Sequence, residues 1–462
     1  PKSLRHNATM PRVFGEARGD NTEIDGRVRD IAAYLASLNG AEKPAEPPNS
    51  DELIAAGGRL FAHRHCNACH TLPDAEKIDV ENGRTPLNYV KAKYKPAALF
   101  AFLKNPQQHY AWIRMPNFTF SDLEAQRLTA FLLSRPQKSL EAPANGKQPN
   151  PQFGQTLLAS SGCLNCHTLE KTQSTLKATA VAKSDSGCLA PQATGKSPFF
   201  AFAPEQIKSI ASFVKTDRSS LLRESLPEFA QRQILHLRCT ACHTRDGTDD
   251  LYSQLEDEVA PLISEGVDDE PGGEGDERIA EDQSEPILTW AGEKLRPEWS
   301  TQLLLGQIDY RLRPWLRARM PAFPARARLL AHALPLDHGF PPVSPPDPAP
   351  EANLVPFGRK LLSKDGGFAC TTCHGVASLK PVGVFEAPGP NLQYVKERLN
   401  PHYFARWVYN PLRVHKDTKM PAFADKDGKT SLRETLDGDA RRQYQAIYDY
   451  LLAGRKVEPP EN

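Results

Sequence analysis

Nine cysteines occur in 462 residues, and eight of them fall in four copies of one pattern. The copies are Cys66-Asn67-Ala68-Cys69-His70, Cys163 to His167, Cys239 to His243 and Cys370 to His374. Two thiols three positions apart, followed at once by an imidazole, suit two kinds of chemistry. They can hold structural zinc, or they can add to the vinyl groups of a porphyrin as thioethers while the histidine binds the iron. Zinc needs a second ligand pair at finger spacing, and no copy has one. The chain therefore reads as carrying four covalently attached c-type hemes. Cys66 and Cys69, Cys163 and Cys166, Cys239 and Cys242, and Cys370 and Cys373 hold the porphyrins; His70, His167, His243 and His374 are the proximal ligands.

The four methionines give an independent signal. Met10, Met115, Met320 and Met420 are each followed by Pro, and chance would produce this with a probability on the order of 10⁻⁴. An aromatic follows in each copy, at Phe14, Phe118, Phe323 and Phe423. A thioether is soft enough for heme iron and raises its reduction potential, so Met115, Met320 and Met420 read as distal ligands after His70, His243 and His374.

The second motif departs from this pattern. Aligning Phe213 on Phe131 puts Ser197 where Met115 stands, so this iron is five-coordinate, ligated by a substitute, or capped from elsewhere. Lys196, Cys188, a histidine of another domain and Met10 are the candidates. Met10 has the opposite defect, because no CxxCH precedes it. The reading preferred for residues 1–39 is the second half of a heme domain whose first half lies outside this chain; the alternative is that Met10 serves another heme within it. His63, His65 and His236 lie close enough to a motif to reach a neighbouring iron, although such residues more often line a heme edge.

Helical periodicity surrounds the motifs, and strand signals are sparse, so the fold class is all-α. Residues 1–39 carry a helix from Arg27 to Leu38 with Val28, Ile31, Leu35 and Leu38 on one face. A first complete domain spans 51–135, closed by a helix that starts with the capping box Ser121 and Glu124 and buries Leu128, Phe131 and Leu132. A short domain follows at 152–217, with Gly154 nine residues before Cys163 as Gly57 is before Cys66, and a closing helix from Pro204 to Val214. The third domain, 221–336, contains an acidic insertion at 255–286, expected to be a solvated loop. After it Arg311, Arg313, Arg317, Arg319, Arg326 and Arg328 crowd around Met320, placed to pair with heme propionates or the acidic loop, or simply to face solvent. A Pro-rich linker leads to the last domain, 355–456, whose closing helix bears Tyr444, Ile447, Tyr448 and Leu451.

Composition narrows the function classes. The 57 basic and 56 acidic residues nearly cancel, which gives no electrostatic footprint for nucleic acid. No stretch approaches the roughly 20 apolar residues of a membrane helix. With 39% hydrophobic residues and 41 prolines, the chain suits several small cores joined by irregular segments. Heme is joined to CxxCH outside the cytoplasm, so a secretory signal is expected to precede this sequence and the location to be periplasmic or otherwise extracytoplasmic.

These residues resemble the class I cytochrome c family, in which an N-terminal helix crosses a C-terminal one and heme lies between a CxxCH histidine and a distal methionine. The last domain, with "RVHKDTKMPAF" and "LDGDARRQYQAIYDYLL", is similar to the heme-binding CxxCH domains of planctomycete-type multidomain cytochromes. The resemblance implies tandem class I cytochrome domains joined by Pro-rich linkers. It also implies redox-protein partners, and other modules beside these domains that would account for a missing segment or chain at the front. No Ser/His/Asp arrangement, phosphate loop or paired carboxylate stands out, so no catalytic residue is assigned. The function expected is transfer of single electrons through tandem hemes. The alternatives are a heme enzyme or gas-binding protein with an open site at the second heme, and an electron-transfer subunit of a larger dehydrogenase or respiratory complex.

Overall fold

A computed structural model places the chain in two compact units. One comprises residues 1–46, 71–98 and 135–224, the other 47–70, 99–134 and 225–462. The structure describes all residues except 1–9, 12, 15–21, 39–45, 76–78, 80, 109, 140–147, 170–171, 176–188, 190–197, 265–282, 382, 384–387 and 462, and except the side chains of 22–25 and 222. Lys196, Cys188 and Ser197 lie outside the described residues.

The described residues form thirteen helices of eight residues or more. They are α1 Thr22–Ser37, α2 Asp51–His63, α3 Pro96–Lys104, α4 Asp122–Ser134, α5 Pro151–Ser160, α6 Pro204–Val214 and α7 Leu226–Leu237. The rest are α8 Glu256–Ser264, α9 Pro297–Leu305, α10 Ala327–Asp337, α11 Val355–Leu362, α12 Pro401–Tyr409 and α13 Ala440–Leu451. Strand is confined to one pair of two-residue segments, and the fold is all-α.

Local chemistry sets the helix starts. Ser50 Oγ accepts the Leu53 N–H at 3.3 Å at the head of α2, and Asn150 Oδ1 accepts the Phe153 N–H at 3.1 Å at the head of α5. At α4 the capping box is complete: the Glu124 N–H donates to Ser121 Oγ at 3.1 Å and the Ser121 N–H donates to Glu124 Oε2 at 2.8 Å. Each cap satisfies helix-terminal donors that would otherwise lack partners.

Four helix pairs build the cores: α1 with α5 in one unit, and α2 with α4, α7 with α10 and α11 with α13 in the other. Three of them cross at a glycine. A Cβ on Gly57 would overlap the Arg127 carbonyl, one on Gly154 the Asp30 carbonyl, and one on Gly358 the Ala446 carbonyl. Four residues beyond each carbonyl stands a buried ring, Phe131, Tyr34 and Tyr450. In the α7 pair the residue nine before Cys239 is Ala230, which is fully buried.

Two expectations are corrected here. First, α6 forms over the residues expected, but the helix that crosses α5 is α1. None of the α6 residues is fully buried. Helix α1 thus packs on the helix that leads into Cys163. Second, the inward face of α1 is not the aliphatic stripe. Val28, Leu35 and Leu38 are exposed while Tyr34 is buried, because the approach at Gly154 turns the Asp30–Tyr34 edge toward α5.

The described ends of the acidic insertion are packed rather than solvated. Its first part is α8, which packs on α2 with Val259 fully buried. From its last part Glu285 Oε1 lies 2.7 Å from His65 Nδ1, and Gln283 Oε1 accepts the Arg317 N–H at 2.9 Å. Residues 265–282 lie outside the described residues.

Candidate functional site

All four CxxCH motifs share one backbone geometry. A residue with positive φ comes first: His65 at 54°, Gly162 at 80°, Arg238 at 60° and Ala369 at 56°. A one-turn 3₁₀ helix follows at Cys66–Ala68, Cys163–Asn165, Cys239–Ala241 and Cys370–Thr372. The N–H of each second cysteine then donates to the carbonyl of the first, at 3.2, 3.2, 3.3 and 3.2 Å in chain order. Three of the positive-φ residues are not glycine, and L residues adopt that region only when the surroundings hold them there. The same costly turn, made four times, brings two thiols to one side of a tight loop.

Two of the histidines are held in the orientation an iron ligand needs. His243 Nδ1 lies 2.8 Å from the Pro286 carbonyl and His374 Nδ1 lies 2.8 Å from the Pro390 carbonyl. A carbonyl can only accept, so Nδ1 carries the proton and the Nε2 lone pair is left to coordinate. Burial pulls both imidazoles below their ordinary pKa, against the raising effect of those carbonyls. Both rings are therefore kept neutral, the form that binds metal. Gly389 lies flat against the His374 ring, where any Cβ would collide with it.

Burial separates the motifs. It pushes the Cys66 thiol up to about 12, with the neighbouring Cys69 adding to it, and pushes Cys239 to about 11 and Cys370 to about 12. Cys163 is raised by burial as well, but Cys166 and His167 are exposed. Among the methionines, Met420 is half-buried and its Sδ accepts the Trp407 Nε1–H at 3.0 Å, which occupies one sulfur lone pair and leaves the other. Met115 is half-buried, with its carbonyl accepting from Gln107 Nε2 at 3.1 Å. Met320 is 39% exposed and Met10 52%.

The first and third motifs are neighbours. Charge on Cys69 acts on the thiols of both Cys239 and Cys242, and Asn67 Nδ2 donates to the Leu255 carbonyl at 3.0 Å. The segments after Met115 and Met320 pair as an antiparallel bridge, with Asn117 and Ala322 exchanging N–H bonds at 2.9 and 2.7 Å. Two of the arginines near Met320, Arg319 and Arg326, serve this contact. Arg319 and Arg64 both bind Glu124, at 2.7 and 3.2 Å, and Arg326 donates to the carbonyls of Trp112 and Ile113 while its guanidinium covers the Trp112 ring. His65 stacks on Tyr252 with ring centroids 3.4 Å apart, and His63 Nε2 lies 3.3 Å from Arg317 Nη1. These two histidines are therefore part of the packing between the first and third motifs.

Among the described residues no three His, Cys, Asp or Glu side chains converge as a metal site. At the third and fourth motifs the donor set fits heme c: two cysteines on one turn, an imidazole kept neutral with its proton on Nδ1, at His243 and His374, and a thioether on a separate segment. Sequence reasoning did not find Pro286, Pro390 or Trp407; the Pro-x-Leu that follows two motifs, at Pro286-Ile287-Leu288 and Pro390-Asn391-Leu392, was the available signal.

The helix crossing at Gly57, the CxxCH turn and the Met-Pro segment define a class I c-type cytochrome domain. Residues 52–132 match the family described as cytochrome c oxidase, cbb3-type, subunit III, and this stretch is accordingly a class I c-type cytochrome domain. It binds heme c covalently and has a heme-based electron-transfer role with redox-protein partners. No match to the chain was found among curated proteins or among solved structures. No helix among the described residues is long and apolar enough to cross a membrane.

Proposed function

We propose that the chain is an extracytoplasmic carrier of single electrons with four c-type hemes in tandem domains, exchanging electrons with protein donors and acceptors. Heme c, once bound, supplies a one-electron iron couple and nothing else is asked of it. The residues do the rest. The cysteines would hold the porphyrins, the histidines would supply the imidazole ligands, and Met115, Met320 and Met420 would supply thioether ligands to three hemes, leaving those hemes to electron transfer rather than substrate binding.

For the second heme the proposed distal ligand is Met10. The observation that supports it is the crossing of α1 on α5 at Gly154, the same relation that α4 bears to α2 at Gly57. In the first domain Met115 precedes the crossing helix; Met10 likewise precedes α1 in the chain, at a longer spacing. On this reading the second domain is built from two segments that flank the first, and the Met without a heme and the heme without a Met are one site.

The electron-carrier reading rests most on how the motifs group. The first, third and fourth lie in one unit, with the first two of these in contact, so the route proposed there runs first to third to fourth rather than in strict chain order. The test is made on protein expressed in a host that attaches heme during export. A mass four heme increments above the polypeptide, together with no carbon monoxide adduct on the reduced protein, is expected. Fewer increments, or an adduct, would overturn it.

A further inference from the structure

The third and fourth domains meet through equivalent elements. Leu295, just before α9, forms an antiparallel bridge with Leu399, just before α12. The Arg296 N–H donates to the Arg398 carbonyl at 2.9 Å, and the Asn400 N–H donates to the Lys294 carbonyl at 3.0 Å. Farther out, Trp290 Nε1 donates to the Val414 carbonyl at 3.0 Å, and at the corresponding place Tyr394 stacks on Tyr310 with centroids 3.6 Å apart. For each contact between two residues here, their counterparts at the offset that separates Leu295 from Leu399 are also in contact. That is the form of a two-fold, self-complementary contact built within one chain.

Two cations sit at corresponding positions on this axis without a carboxylate. Lys294 Nζ lies 5.7 Å from the Tyr403 ring centroid and 6.0 Å from that of Trp407, the residue that holds Met420. Its charged neighbours are Arg398 and Arg313, and burial with their repulsion pulls it down to about 7. Arg398 Nε is buried with no hydrogen-bond partner. The adjacent acids are engaged elsewhere: Glu293 by Arg406, and Glu397 by the Tyr310 hydroxyl at 2.5 Å and by Arg455 at 3.1 Å. Burying Lys294 and Arg398 with no carboxylate beside them is costly, so the arrangement calls for an anion. Arg313 acts on His243 and Arg398 on His374, while Lys294 acts with both arginines. The cluster therefore lies toward both motifs.

We propose that Lys294 and Arg398, with Arg313 beside them, form a shared carboxylate site at the pseudo-two-fold axis, and that its occupants are the propionate groups of the third and fourth hemes. This rests on the heme reading above. Each domain contributes a cation to its neighbour's cofactor as well as its own, which makes the two hemes an electrostatically coupled pair.

The experiment compares wild type, Lys294→Gln and Arg398→Gln as full chains loaded with heme, by intact mass and by spectroelectrochemical titration. A buried cation favours the reduced iron, so its removal lowers the potential. Either substitution is expected to lower two of the four potentials and leave two unchanged, and Lys294→Arg is expected to restore them, which also covers a Gln variant that fails to fold. A full heme load with a shift in only one potential, or in none, would overturn this inference alone. A wild-type mass short of four heme increments would overturn the electron-carrier reading beneath it. Potentials that follow the concentration of acetate or phosphate at fixed ionic strength would show a soluble anion in the cluster, and would also overturn it.

Discussion

Two helix crossings in this chain use the same contact and differ in how the sequence reaches it. In the first domain α2 and α4 are joined by the CxxCH turn and the Met-Pro segment, and Gly57 lies under the Arg127 carbonyl with Phe131 one turn on. In the other unit α5 carries Gly154 under the Asp30 carbonyl with Tyr34 one turn on, but the crossing helix α1 comes from before the first domain. Extra bonds secure the second pair. Asp30 Oδ1 accepts the Asn150 N–H at 2.6 Å, and the Tyr34 hydroxyl shares a hydrogen bond with Thr172 Oγ1. The difference teaches that this contact is defined by a small residue, a carbonyl and a ring, and not by chain continuity.

The strongest way to break the comparison is to fill the glycines. Gly57→Val forces a side chain into the α4 backbone and is expected to cost about 3 kcal/mol or more, read as a lower unfolding midpoint. Gly154→Val is expected to do more than destabilise: α1 should come away from α5 and become open to limited proteolysis between the two segments. Continued protection of α1 in that variant would mean that the Gly154 contact does not hold it.

Next in size is the ligand exchange. Met10→Ala is expected to remove one methionine's share of the sulfur-to-iron band in the oxidised protein, to lower one potential, and to let carbon monoxide bind one reduced heme. Met115→Ala should do the same at the first heme. An unchanged spectrum for Met10→Ala would separate the two sites and return the second iron to another ligand.

A smaller effect comes from Glu124 at the head of α4. Burial alone would raise its carboxyl, but the Ser121 N–H with Arg319 and Arg64 outweighs it and holds the group below the usual carboxylate range. A folded pKa below the unfolded one gives stability that is present above the unfolded value, about 4.3, and is lost as pH falls through the folded one. Acid is therefore expected to loosen the contact between the Met115 and Met320 segments, with Glu124→Gln removing that pH dependence and costing about 1–3 kcal/mol at neutral pH. A denaturation series in pH checks this.

The smallest effects should be equal in both pairs. Ser50→Ala and Asn150→Ala each remove one capping acceptor and are expected to cost about 1 kcal/mol. Unequal costs by chemical denaturation would show that the two starts are not equivalent.

Much of this was legible in the sequence. The CxxCH copies, the capping box at Ser121 and the buried face of Leu128, Phe131 and Leu132 follow from local rules, and α13 buries Tyr444, Ile447, Tyr448 and Leu451 as its period requires. The pairing of α1 with α5 was not legible, because periodicity reports which face is apolar and not which distant helix meets it. It misled for α1, whose aliphatic stripe Val28, Leu35 and Leu38 lies outward. Composition misled at the described ends of the acidic insertion, where Val259 is buried and Glu285 reaches His65. The carbonyls of Pro286 and Pro390 were invisible for another reason: a backbone acceptor has no letter of its own.

The crossing of α1 on α5 also sets an order of events in time. Helix α1 is synthesised well before its partner α5, which begins only at Pro151, after residues 51–135 have emerged. Closing so long a loop costs entropy that grows slowly with length, but contacts so distant in sequence slow folding markedly. The second site should therefore mature after the first, and a chain cut once between α1 and α2 should keep its two pieces together for as long as the Gly154 crossing holds.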